Sequence, residues 1–133
     1  VYVMSKNFSW SSKVGEAVKS CVKRGISIRT ISIGEIDELK YYRAKWFYDH
    51  GVDIKVIRTK IHPSLIDADG KEILIRLDAD PAKKERFVFT SIWSKDISLA
   101  RIIDAYVKNA WKMGRPINFE KIKPKPLSGQ YGK

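Results

Sequence analysis

A chain of 133 residues that is 44% hydrophobic can build one domain around one core, which excludes disorder over most of its length. Its formal charge of +11, from 26 Lys and Arg against 15 Asp and Glu, attracts polyanions and makes any such binding salt-dependent. No apolar run approaches the roughly 20 residues needed to cross a bilayer, no signal peptide is visible, and the single cysteine, Cys21, cannot form an internal disulfide, so no membrane partner and a reducing, cytoplasmic setting are expected. The charge is dispersed, with a modest concentration at Lys121, Lys123, Lys125 and Lys133. That pattern favours a solvated surface over a dedicated nucleic-acid face. The chain opens at Val1, already inside an apolar run rather than at an initiator Met, which reads as a piece of a longer protein.

Residues 1–4 read as a strand followed by a polar break at 5–7. Val14, Ala17, Val18, Cys21 and Val22 recur at helical spacing, with Ser11 or Ser12 to cap the start and Gly25 to end it. Ile26, Ile28, Ile31 and Ile33 make a β-branched strand closed by Gly34. A second helix is expected over Glu35–His50, stopped by Gly51, and a third strand over 52–57. Alternation of strands and helices to this point implies parallel pairing. Short strands at 64–67 and 72–77 flank Ala68-Asp69-Gly70-Lys71, and Asp-Gly there signals a hairpin. A polar turn with Pro81 precedes a strand over 86–93. The cleanest helical period follows, with Leu99, Ile102, Ile103, Tyr106, Val107, Ala110 and Trp111 on one side and Gly114 and Pro116 as the stop. Residues 1–117 are expected to form the domain and 118–133 a basic, partly flexible extension containing Pro and Lys.

The informative stretch is 62–70, H-P-S-L-I-D-A-D-G. It resembles the phospholipase D motif H-x-K-x-x-x-x-D, with His62 at the histidine position, Asp69 at the aspartate, Gly70 after it, and Ser64 where lysine belongs. In that family the histidine attacks phosphorus, the aspartate orients the imidazole and the lysine stabilises charge on the phosphate oxygens. Serine supplies one neutral hydrogen bond and no charge, a loss of about 3 kcal/mol or more of transition-state stabilisation. The Thr90-Ser91-Ile92-Trp93-Ser94 segment resembles the polar strand end of the same family. The resemblance implies an α/β fold like one half of a phospholipase D, a mixed sheet flanked by helices in the order β-α-β-α-β-β-β-α.

A narrower resemblance is to the C-terminal effector domain of archaeal TrmB-like transcriptional regulators, a degenerate phospholipase D-like fold. It rests on the opening V-Y-V-M-S-K-N-F-S-W, on H-G-V-D-I-K-V-I at 50–57 and on A-Y-V-K-N-A-W-K at 105–112. It implies a homodimer that senses a small-molecule effector, a sugar or an anion, and acts on DNA through a winged-helix module absent from this chain. It implies no enzyme activity, no cofactor and no metal.

Ligands of open α/β sheets bind outside the carboxyl ends of the strands. Candidate ligand residues are therefore His62, Ser64, Asp69, Arg58, Trp93, Trp10 and Ser91. Each has a plainer explanation: Asp69 as a turn residue, Arg58 as a solvated strand end, Trp10 as helix packing. Because Trp93 alternates with Ile92, one of the two is expected to face the core. Two other functions stay open. One is a divergent homodimeric phosphodiesterase in which Lys60 or Lys71 replaces the missing lysine. The other is a basic nucleic-acid-binding domain. Tyr41 and Tyr42 are the apolar candidates for a dimer contact.

Overall fold

The computed structural model describes residues 1–6, 8, 11–38, 40–60, 64–77 and 90–122. In chain order these form β1 (Tyr2–Ser5), α1 (Ser11–Lys23), β2 (Arg29–Ile33), α2 (Tyr41–Asp49), β3 (Asp53–Ile57), β4 (Ser64–Ala68), β5 (Glu72–Leu77), β6 (Thr90–Ser94), α3 (Ile97–Met113) and the two-residue β7 (Arg115–Pro116). One turn of 3₁₀ helix follows at Phe119–Lys121. The seven strands make one mixed sheet in the order β6-β5-β4-β1-β2-β3-β7. β1, β2 and β3 are parallel, and the remaining pairs are antiparallel. Four strands, β3 to β6, run between α2 and α3, matching the four strands read there from the sequence although the family order β-α-β-α-β-β-β-α has three, and β7 adds a short antiparallel edge.

Helices lie on both faces, and the strand alternation shows which side chains meet them. On one face Val3, Ile54 and Val56 join Val18, Ile36, Ala44, Phe47 and Phe119 in a core closed by α1 and α2. On the other, Met4, Ile31, Ile33 and Leu65 pack against Val107 and Ala110 of α3. Phe47 is wholly buried, and a buried phenylalanine contributes roughly 1.5–3 kcal/mol. α3 begins at Asp96, whose carboxylate accepts the Leu99 N–H at 2.8 Å, a standard N-cap.

α2 starts at Tyr41, not at Glu35 as the sequence suggests. The Asp37 carboxylate accepts the Lys40 N–H at 3.0 Å and closes a turn, while Ile36 drops into the core, so backbone that helix would use is spent locally. The second strand is likewise shorter, starting at Arg29 rather than Ile26. Tyr41 and Tyr42, expected as exposed dimer contacts, are half-buried, and the Tyr41 ring meets Phe119 edge-on at 5.9 Å. Phe119 also packs on Tyr48, with ring centroids 4.9 Å apart. Among the described residues, no helix is long and apolar enough to cross a membrane.

Candidate functional site

Parallel strands β1 to β3 end together, and their carboxyl ends carry Ser5-Lys6, Gly34-Glu35 and Arg58-Thr59. The serine hydroxyls near these ends serve the backbone: Ser5 Oγ accepts the Phe8 N–H at 3.0 Å, and Ser32 Oγ donates to the Gly34 carbonyl at 2.9 Å. Charge defines the mouth instead. Arg58 donates to Glu35 Oε1 at 3.1 Å, and Arg115, brought in by β7, donates to the same oxygen. The Arg115 guanidinium, helped by Arg58, holds the Glu35 carboxyl below the usual range against the opposing effect of burial. Lys40 donates to the Ile33 carbonyl at 3.3 Å, and burial, reinforced by neighbouring Lys6, pulls its amine down.

Between this end of β3 and α3 lies a cavity of about 410 Å³. Val56, Ile57, Tyr106, Ala110 and Met113 give it apolar walls, while Arg58, Thr59, Asn109, Arg115 and Glu35 supply polar groups. Both the size and this mixture suit a small molecule.

A second set of chemistry-bearing residues sits on the sheet itself. Ser64 pairs with Arg76, and Arg76 with Ser91, so three polar side chains stand in a row across β4, β5 and β6. The next row on the same face is Ile66, Leu74 and Trp93, at 39%, 41% and 61% exposure. Among the described residues, the α1/α2 core on this side includes no side chain from β4, β5 or β6. Ile92 points to the opposite face and is also exposed, so the expectation that Ile92 or Trp93 enters the core fails. β6 is the sheet edge and lies beyond the core that α3 closes.

The far end of β4 is different again. Asp69 and Gly70 both take positive φ, 58° and 67°, the geometry of the two-residue hairpin that Asp-Gly favours. Asp69 stands five residues from Ser64, roughly 16 Å along a strand. The structure therefore separates Asp69 from Ser64 and makes it an exposed turn residue. Lys71 shares that far end and cannot stand in for a cation at Ser64. The buried acid here is Asp67, which accepts the Gly70 N–H at 2.9 Å. Burial first, then a hydrogen bond to the Asp104 carboxyl of α3, pushes Asp67 up to about 6. Its Oδ2 has no hydrogen-bond partner among the described residues, and the neighbouring Asp104 carboxyl favours the protonated form of Asp67. Asp104 is correspondingly held low by that bond and by Lys108 at 2.8 Å.

Of the residues expected from sequence, Arg58 lines the cavity, Ser64, Ser91 and Trp93 share the open sheet face, and Asp69 joins neither. His62 and Trp10 lie outside the described residues. Glu35, Arg115, Arg76 and Asp67 were not expected. Strand alternation from Ser64 and Leu65 marks Arg76 and Asp67, but nothing local links Glu35 to Arg115, 80 residues away. Among the described residues no cluster of His, Cys, Asp and Glu forms a metal site.

No protein-family model and no curated protein matches the sequence. Solved structures match in fold. TrmBL2, an archaeal chromatin protein whose structure shows a novel mode of DNA binding, aligns with a TM-score of 0.69 at 15% identity, over 87% of this chain and 44% of its own. NucT from Helicobacter pylori aligns with a TM-score of 0.63 at 14% identity, over 87% of this chain and 80% of its own. This chain thus spans less than half the length of TrmBL2. At such identities the likeness speaks for the fold, which is phospholipase D-like.

Proposed function

We propose that this chain is a sensing domain: a phospholipase D-like unit that binds a small anionic molecule with an apolar part and does not turn it over. The observation that carries this reading is the 410 Å³ cavity at the end of β3, where Arg58 and Arg115 converge on one carboxylate, Glu35. Two guanidiniums sharing a single acid leave one positive charge in excess, and a ligand carboxylate or phosphate can take over the bidentate contacts that Glu35 makes only in part. Tyr106 and Met113 of α3 form the apolar wall, so an occupant would bridge α3 and the parallel half of the sheet. In this reading the domain is a homodimer, and its occupancy is passed to DNA through a module outside this chain.

The test uses phenyl phosphate as a probe that joins a dianion to an apolar ring. Calorimetric titration is expected to give binding that weakens at least about tenfold in the Arg58→Ala/Arg115→Ala double variant, given what charge-assisted pairs contribute. Inorganic phosphate is expected to bind more weakly, and glucose tests the sugar alternative. Equal affinity in wild type and double variant would sink the pocket.

One observation favours a second reading, a divergent phosphodiesterase. Arg76 stands directly across from Ser64 and can return positive charge to the position that lost its lysine. That reading predicts hydrolysis of bis-p-nitrophenyl phosphate that disappears in both His62→Ala and Arg76→Ala.

A further inference from the structure

The cavity at the end of β3 holds charges of both signs side by side. Arg58 and Arg115 donate to the same Glu35 oxygen, Oε1, so Oε2 can accept another donor. The three side chains reach solvent, with Arg58 at 82%, Arg115 at 61% and Glu35 at 47% exposure. Exposed ion pairs stabilise little, so each of these can change partner at small cost. A simple anion would take the guanidiniums and stand beside Glu35, which would then lack a cation of its own. That arrangement is unfavourable, because the guanidiniums are what hold Glu35 in its ionised form. An occupant that carries a cation next to its anion removes the conflict. Its carboxylate meets Arg58 and Arg115, and its ammonium meets Glu35.

In an α-amino acid the carboxylate and the ammonium sit on one carbon, so their partners must be neighbours. Arg58 lies 3.1 Å from Glu35, and Arg115 contacts the same oxygen. The rest of the cavity fits the rest of such a molecule. Ile57, Tyr106, Ala110 and Met113 offer an apolar wall to a side chain, and Asn109 adds an amide oxygen as a further acceptor. A volume of about 410 Å³ lies near the lower end of the roughly 300–1,000 Å³ common to small-molecule sites, which suits a single amino acid with a large side chain. We infer that this cavity takes a free apolar α-amino acid, with Arg58 and Arg115 on its carboxylate, Glu35 on its ammonium, and Tyr106 and Met113 against its side chain. The inference rests on the pocket reading above and names the class of its ligand: the anionic group belongs to a zwitterion.

The experiment is calorimetric titration of the chain with three probes that share a phenyl ring. Phenylalanine carries both charges, 3-phenylpropionate lacks the ammonium, and 2-phenylethylamine lacks the carboxylate. Phenylalanine is expected to bind about tenfold more tightly than 3-phenylpropionate, the contribution of one charge-assisted hydrogen bond. It is expected to exceed 2-phenylethylamine by more than that, because two guanidiniums lose their partner. Glu35→Gln is expected to bring phenylalanine down to the affinity of 3-phenylpropionate. The same variant is expected to bind 3-phenylpropionate at least as well as wild type does, which also shows that it folds. Arg58→Ala/Arg115→Ala is expected to weaken both carboxylates.

Binding of 3-phenylpropionate and phenyl phosphate through the arginines, with phenylalanine no tighter and indifferent to Glu35→Gln, overturns the inference and leaves the pocket reading standing. Loss of 3-phenylpropionate binding in Glu35→Gln also overturns it, since Glu35 would then only position the arginines. No binding of any carboxylate or phosphate probe removes the pocket reading, and the inference with it.

Discussion

Strands β1 to β3 and strands β4 to β6 belong to one sheet, yet they are covered differently. The first three are packed on both faces, by α1 and α2 on one side and α3 on the other. Their sequences show it: Val3 and Met4, Ile31 and Ile33, Ile54 and Val56 are all buried, on whichever face they fall. Among the described residues, α3 packs on one face of β4 and β5, so Leu65, Asp67 and Ile73 are buried while Ile66, Leu74 and Trp93 are exposed, and β6 lies beyond that core. The parallel half acts as foundation, with its ligand chemistry pushed out to the strand ends. Among the described residues, the antiparallel half keeps Ile66, Leu74 and Trp93 exposed on one face.

Core truncation should break this contrast most visibly. Phe47→Ala, in the covered half, is expected to cost about 3–5 kcal/mol by denaturant unfolding. Trp93→Ala, of a similarly large ring in the open half, is expected to change stability by no more than about 0.5 kcal/mol. Comparable losses at the two positions would mean that the open face is covered after all.

The acid pair sharpens the comparison at the seam between the halves, where β4 meets α3. Asp67 ordinarily titrates near 3.8 and here near 6, so the folded protein holds a proton that the unfolded chain releases. The stability from this proton is complete below about 3.8 and is lost as pH rises through about 6. Lys108 favours the ionised form of both carboxyls, and the Val1 amino group favours that of Asp104. Asp67→Asn keeps a neutral hydrogen-bonding group in place. It is expected to raise the melting temperature above pH 6 and to flatten the pH profile between 4 and 6. A profile that keeps its wild-type slope would remove Asp67 from the account.

A further effect concerns α3, which among the described residues is the helix that packs on both halves. Asp96→Ala removes its N-cap and is expected to cost about 1 kcal/mol, read from the same unfolding curves. A cap that contributes nothing would place α3's stability wholly in its packing.

What the sequence reveals follows the same division. Helical periods at 14–22 and 99–111 and the Asp-Gly hairpin are local patterns, and they appear where expected. The start of α2 was illegible because a buried Ile36 and an Asp37 turn outweigh a continuous helical pattern. The pocket was half legible. Arg58 follows from a strand ending there, but Arg115 arrives through β7, a two-residue pairing with no sequence signal. The motif resemblance assigns roles to Ser64 and Asp69 by register alone, and only the length of β4 shows that they lie at its opposite ends. Alternation along β4 was enough to expose Asp67 as the inward carboxylate, and along β5 to align Arg76 with Ser64.

The measurement that tests the central claim most directly is an amide-resolved NMR titration with phenyl phosphate. Ligand binding at the end of β3 predicts shifts confined to Thr59, Tyr106, Asn109, Arg115 and their neighbours, saturating together. Shifts confined instead to Ser64, Arg76 and Ser91, or none at saturating probe, would contradict it.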